Sequence, residues 1–227
     1  MGANGPTRLS FTRLSLYQEC PRCFYLEVRR GMKRPQGIFP TIASGLDRVS
    51  KNYLDGVRAG RLNPPAVLKS YWRDWKPYPD QAQIDEWRDW RKGLRYRDQK
   101  NGVELVGMID DCLVSRGKTE VLMPIDFKSR GFPPKPNTST FYELQLDMYA
   151  LLLRQMNKKV GDRGLLIFLW PESMREGCKE LTLRSETVEL KTDYRRAENA
   201  VAEATRVLRA GMPSSSKNCE FCRWARQ

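Results

Sequence analysis

Gly107-Met108-Ile109-Asp110 and Pro124-Ile125-Asp126-Phe127-Lys128 are the stretches on which the reading of this chain turns. Val103 to Val114 alternates around Gly107, and Val121 to Phe127 is a second, short apolar run. Ser115-Arg116-Gly117-Lys118 between them is turn chemistry, so the two runs predict a hairpin. Side chains two apart on a strand share a face. Asp126 and Lys128 therefore point one way and Phe127 the other, into an apolar layer. Pairing the strands puts Asp110 beside Asp126. Two carboxylates that close suit a hard divalent cation, Mg2+ or Mn2+, which keeps waters that a phosphate can displace. A lysine on the same face suits the positioning of an attacking water and the stabilisation of charge at phosphorus. The bland alternative is a surface hairpin whose polar face happens to carry these residues.

Working outward, Ser10 or Thr12 caps a helix over residues 10–30, which Pro21 breaks or kinks. Gly31 to Thr41 is loop, with Pro35, Gly37 and Pro40. Ile42 to Val57 is a helix with Leu46, Val49, Tyr53 and Leu54 on one side. Residues 58–100 read as a helical insertion. Its tryptophans, Trp72/Trp75 and Trp87/Trp90, are spaced for core packing, with stacking on bases as the second reading. Downstream, Tyr142 to Met156 is an apolar helix, Gly164 to Trp170 and Glu180 to Leu190 are strands, and Asp193 to Ala210 is a helix closed by Gly211.

The 227 residues carry a net charge of +13 and no histidine. The charge calls for a polyanionic partner, nucleic acid before an acidic membrane surface. The missing histidine excludes Ser-His-Asp and Cys-His catalysis, His-ligated zinc hydrolases and mixed Cys/His fingers. No apolar run approaches a membrane span, and Met1 to Pro6 has no hydrophobic leader core, so an untargeted, cytoplasmic protein is expected.

Four of the six cysteines form two C-x-x-C pairs, Cys20/Cys23 and Cys219/Cys222, one near each end. In a reducing compartment this spacing favours metal or cluster ligation over disulfides. The ligand set is all sulfur, open to Zn2+ or a 4Fe-4S cluster. Residues 10–30 and 211–227 would then form one four-cysteine subdomain, bringing basic residues from both ends onto a phosphate-binding surface. Cys112 and Cys178 are expected as buried thiols.

Four stretches carry a resemblance, in order. They are Ser10 to Tyr25 with its Cys20-Pro21-Arg22, Gly107 to Asp110, Ile125-Asp126-Phe127-Lys128-Ser129, and Gln145-Leu146-Asp147-Met148-Tyr149-Ala150. Together they resemble the PD-(D/E)XK nuclease superfamily, in particular its RecB-like branch with CRISPR-adaptation and AddB-type relatives. The resemblance implies one α/β (α+β) restriction-endonuclease-like domain over 1–227, with a central mixed sheet flanked by helices. It implies Asp110 and Asp126 as metal ligands, Lys128 serving the water, and Gln145 and Tyr149 supporting the site or the DNA backbone. It further implies hydrolysis of DNA, as single strands or ends, to a 5′-phosphate, in repair, recombination or CRISPR adaptation, beside a helicase or integrase partner. Terminal cysteines in that branch hold a 4Fe-4S cluster, commonly one early and three late, whereas here they divide two and two. Relatives often place a histidine ligand on an early helix. The matching Gly45-Leu46-Asp47-Arg48-Val49 has none, and only Asp47 is near. A nuclease-dead nucleic-acid-binding module and an iron–sulfur scaffold subunit of a larger assembly remain as alternatives.

Overall fold

The computed structural model describes residues 6–35, 37 and 41–225. The leader reading at residues 1–5, part of the 31–41 loop including Pro40, and Arg226 lie outside them. Strand β1 (Thr7–Leu9) leads into helix α1 (Phe11–Glu19), opened by Ser10, whose hydroxyl accepts the Arg13 N–H. The chain breaks at Cys20, which is extended, and Pro21 takes the first turn of α2 (Pro21–Arg30), where its missing N–H costs nothing. Gly31, at φ 67°, ends α2 in the left-handed conformation. Helix α3 (Thr41–Arg58) follows.

Residues 58–100 are not a helical insertion. They hold a 3-10 turn (Ala66–Tyr71), strand β2 (Trp75–Pro77), helix α4 (Gln81–Arg88) and strand β3 (Leu94–Asp98). β2 is a sheet edge, where Pro77 is tolerated. The segment is built into the core: Leu68, Ile84, Trp87 and Leu94 are fully buried, and Trp87 stacks on Tyr78 at 5.2 Å. Trp72 and Trp75 pack against core as well, whereas Trp90 is exposed.

Residues 103–114 form two strands, not one. β4 (Val103–Gly107) lies between β1 and β3 in a three-stranded sheet, and β5 (Asp111–Ser115) joins the main sheet. The handover runs against the helix α5 (Glu143–Gln155). A Cβ on Gly107 would come within 2.8 Å of Leu152 Cδ1, so only glycine lets the backbone pass that close.

The main sheet orders β2-β5-β6-β7-β8, with β6 (Leu122–Ser129), β7 (Arg163–Arg175) and β8 (Glu180–Lys191). Only β6–β7 is parallel, and α5 lies in that crossover. Period-two alternation sorts the sheet into two cores. Cys112, Val114, Leu122, Leu166 and Phe168 face α5 and α6 (Tyr194–Ala210). Leu113, Met123, Ile125, Leu165 and Ile167 face Leu54 of α3 and Leu68. On α3 itself Leu54 and Val57 are buried, while Val49 and Tyr53, expected on the same apolar side, are exposed. The β7–β8 hairpin runs on past the covered part of the sheet. Cys178, expected to be buried, is therefore exposed near its tip. The short α7 (Glu220–Trp224) ends the described chain.

Candidate functional site

The β5–β6 register pairs Asp111 with Ile125, so Asp110, the residue before β5, stands level with Asp126. Asp110 Oδ2 accepts the backbone N–H of Phe127 at 2.7 Å. Phe127 itself packs into the opposite core, as alternation requires. Asp126 is 2% exposed. Its Oδ1 accepts from Gln145 Nε2 at 2.8 Å and from the Tyr149 hydroxyl at 3.0 Å. Lys128 forms an ion pair with Asp126 Oδ2 and donates to Gln145 Oε1 at 2.8 Å. Gln145 Nε2 also donates to the Tyr149 oxygen at 2.7 Å. Gln145 and Tyr149 are one turn apart on α5, which is why both reach the same carboxylate. The structure thus brings together all five residues singled out in the sequence.

Burial and the charge of Asp110 push the Asp126 carboxyl up to about 6. Burial, then the charges of Asp126 and Asp110, hold the Tyr149 hydroxyl well above 10, so it remains a hydrogen-bond donor. Asp126 Oδ2 is buried with no hydrogen bond of acceptable geometry, only the charge of Lys128. Two carboxylates under mutual repulsion, one with an oxygen left without a donor, fit a divalent cation.

Two further features complete the site. Lys51 Nζ lies 2.8 Å from Asp47 Oδ2 and 2.8 Å from Asp110 Oδ1. Burial opposes its charge, but Asp110 and Asp47 outweigh burial and raise the ammonium's pKa. The four-residue spacing of Asp47 and Lys51 on a helix was the available signal for Lys51. Behind Asp110 sits an ion network of which only the three-residue spacing of Asp55 and Arg58 on α3 shows in the sequence. Asp111, wholly buried, meets Arg58 and, at 2.8 Å, Arg88. Asp55 Oδ1 bridges the two arginines, 2.6 Å from Arg58 and 2.9 Å from Arg88. Arg88 Nε also donates to the Asp110 carbonyl at 2.6 Å, fixing the backbone that presents the carboxylate.

The four terminal cysteines meet in a second site. All are buried, and their Sγ atoms lie within 4.8 Å of one another. Sγ separations are 3.8 Å for Cys20–Cys222, 3.5 Å for Cys23–Cys219 and 3.4 Å for Cys23–Cys222. Burial opposes ionisation of Cys20, yet surrounding donors bring it down to about 6. Arg34 Nη2 donates to Cys219 Sγ at 3.5 Å while Nη1 holds Glu19 at 2.5 Å. Beside the cluster a cleft of about 700 Å³ is lined by Arg22, Arg30, Lys33, Arg34, Phe221 and Trp224, among others. Other terminal arginines are committed to the fold: Arg29 donates to the Leu208 carbonyl, Arg209 to the Asn101 carbonyl, and Arg196 to Asp147. Among the described residues no helix is long and apolar enough to cross a membrane.

No curated protein matches the chain. Among solved structures it is similar to the one described as "Crystal structure of SSO0001", at 15% identity and a TM-score of 0.41, over 91% of this chain and 79% of that one. The family model of the PD-(D/E)XK nuclease superfamily matches residues 8–227, so the chain belongs to that superfamily.

Proposed function

We propose that this chain is a Mg2+- or Mn2+-dependent deoxyribonuclease, hydrolysing phosphodiester bonds of single-stranded DNA or DNA ends. The RecB-like resemblance supports 5′-phosphate products and a setting in DNA repair, recombination or CRISPR adaptation, with a helicase or integrase as the partner class. The observation that carries the reading is the joint placement of Asp110, Asp126 and Lys128, with Asp110 bonded to the N–H between the other two. Asp110 and Asp126 would hold the metal, with Asp47 next to Asp110 across Lys51. When bound, the metal neutralises phosphate oxygens and makes its water more acidic. Lys128 holds the attacking water and offers its ammonium to the charge that grows on the phosphoryl oxygens. Gln145 keeps Lys128 and Asp126 in register by bonding both. Tyr149 stays protonated and fixes Asp126 Oδ1. Lys51 supplies a second ammonium beside Asp110. The basic side chains of the cleft, Arg22, Arg30 and Lys33, are suited to the DNA backbone.

End-labelled single- and double-stranded DNA, incubated with the protein and Mn2+, tests this. Cutting is expected, with Lys128→Ala slower by roughly 100-fold or more, as for loss of a transition-state donor. Cutting by Lys128→Ala at the wild-type rate would refute the assigned site. DNA binding with no cutting under any divalent metal would leave the nuclease-dead binding module as the reading.

A further inference from the structure

We infer that the four-cysteine site holds one tetrahedral ion, zinc, and not the four-iron cluster that the RecB-like resemblance implies. A tetrahedral zinc with thiolates at ~2.3 Å keeps its sulfurs ~3.8 Å apart. The three Sγ separations of 3.4–3.8 Å fall at or just below that edge, and all four sulfurs lie within 4.8 Å. A four-iron four-sulfur cube gives each thiolate its own iron and places four irons and four sulfides between them. With three sulfur pairs at 3.4–3.8 Å and every pair within 4.8 Å, the sulfurs leave room at their centre for one ion and no cube.

The chain geometry holds this spacing. Cys20 and Cys219 each immediately precede a helix, α2 and α7, and Cys23 and Cys222 sit one turn inside. Each C-x-x-C pair thus curls around a common centre, and the two-plus-two division supplies the two halves of a closed tetrahedron. The cysteines are at most 8% exposed, Leu16 packs against them, and four sulfurs fill every position of a tetrahedron, so the site leaves no open position on the ion and is structural. Arg34, bonded to Cys219 Sγ and seated 4.5 Å over the Phe221 ring, offsets part of the thiolate charge from outside the sulfurs. None of this depends on the nuclease reading.

The test is metal analysis of the full chain purified without oxygen, with X-ray absorption at the metal edge. Expected are about one zinc per chain, no acid-labile sulfide, and a single sulfur shell at ~2.3 Å without a neighbouring metal. Iron and sulfide near four each, with a brown absorbance and a metal–metal distance, would overturn the inference, as would a metal-free protein. A reconstitution arm guards against metal exchange during expression. Stripped protein should regain its melting temperature with zinc and not with iron plus sulfide. The reverse result would also overturn it.

Discussion

The two carboxylates of the site are unequal, and the inequality has a sign. Asp126 is wholly enclosed and its carboxyl is pushed up to about 6, by burial first and by Asp110 second. Raised above its unfolded value, the folded group holds its proton more tightly than the unfolded chain does. Without divalent metal, stability therefore falls as pH rises from about 4 towards 6 and stays reduced above. Asp126→Asn removes that penalty while keeping an oxygen for Gln145 and Tyr149. At pH 8 without added divalent metal the variant should melt higher than wild type, on the order of 2–4 °C for each kcal/mol regained. The same substitution should abolish cutting. A thermal scan showing the variant less stable at pH 8 would mean that the Lys128 pair outweighs desolvation. For wild type, activity should decline as pH drops through about 6, because the ionised carboxylate is the form that binds metal. Because metal favours the ionised form, the fall should move to lower pH as Mn2+ is raised, and a pH profile that does not respond to metal concentration would refute Asp126 as a metal ligand.

At the scale of elements, the site depends on a strand handover that alternation alone does not disclose. Val103 to Val114 keeps one pattern, yet Gly107 turns the chain from β4 towards β5 beneath Leu152 and Tyr149. Gly107→Ala would press a methyl on Leu152 and move Tyr149, the partner of Asp126. The expected cost is about 1–3 kcal/mol in urea unfolding, with kcat lowered by ~10- to 100-fold. Unchanged kcat would show that Tyr149 tolerates displacement. Helices α3 and α4 meet β5 through Arg58, Arg88, Asp55 and Asp111, where Arg58 and Asp111 are almost fully shielded. Arg58→Ala leaves a buried carboxylate short of a partner, a loss of about 3–5 kcal/mol. Adding Asp111→Asn should recover part of it, and strictly additive losses would exclude coupling. These two elements also mark the limit of sequence reading. Asp126 and Lys128 were legible because the strand period places them on one face; Gln145 and Tyr149 share a helix face by their spacing, but it was the family resemblance that pointed to them. Asp110 needed only the hairpin register. For Lys51 and Arg58 the local spacing to Asp47 and Asp55 on α3 was visible, but their contacts with Asp110 and Asp111, like all the contacts of Arg88, join different elements and had no local sign. The strands within 58–100 were hidden for a related reason: β2 and β3 are three and five residues long, too short for a period to show.

Across the whole molecule, the net charge of +13 is unevenly available. Arg8, Arg13, Arg34 and Arg196 sit in ion pairs, and Arg29 and Arg209 hold backbone carbonyls. Arg22, Arg30 and Lys33 make no ion pair among the described residues, and they share the cleft beside the cysteine cluster with the exposed Trp224 ring. Cations of this kind beside an aromatic face suit a single strand, whose phosphates and bases would each find a partner. Each phosphate neutralised on a single strand adds ~0.7 to the slope of log affinity against log salt. The double substitution Arg22→Ala/Arg30→Ala should therefore lower that slope by about 1.4 if both arginines contact phosphates. Trp224→Ala should weaken binding by roughly 1–3 kcal/mol per stacked base and leave the slope unchanged. The two effects differ in kind, so fluorescence anisotropy titrations with a labelled oligonucleotide between 50 and 200 mM salt (about a fourfold range) separate them. An unaltered slope in the arginine variant would move the phosphate path away from the cleft. Loss of slope with Trp224→Ala would show that the cleft had collapsed, which the melting temperature of the same sample would reveal.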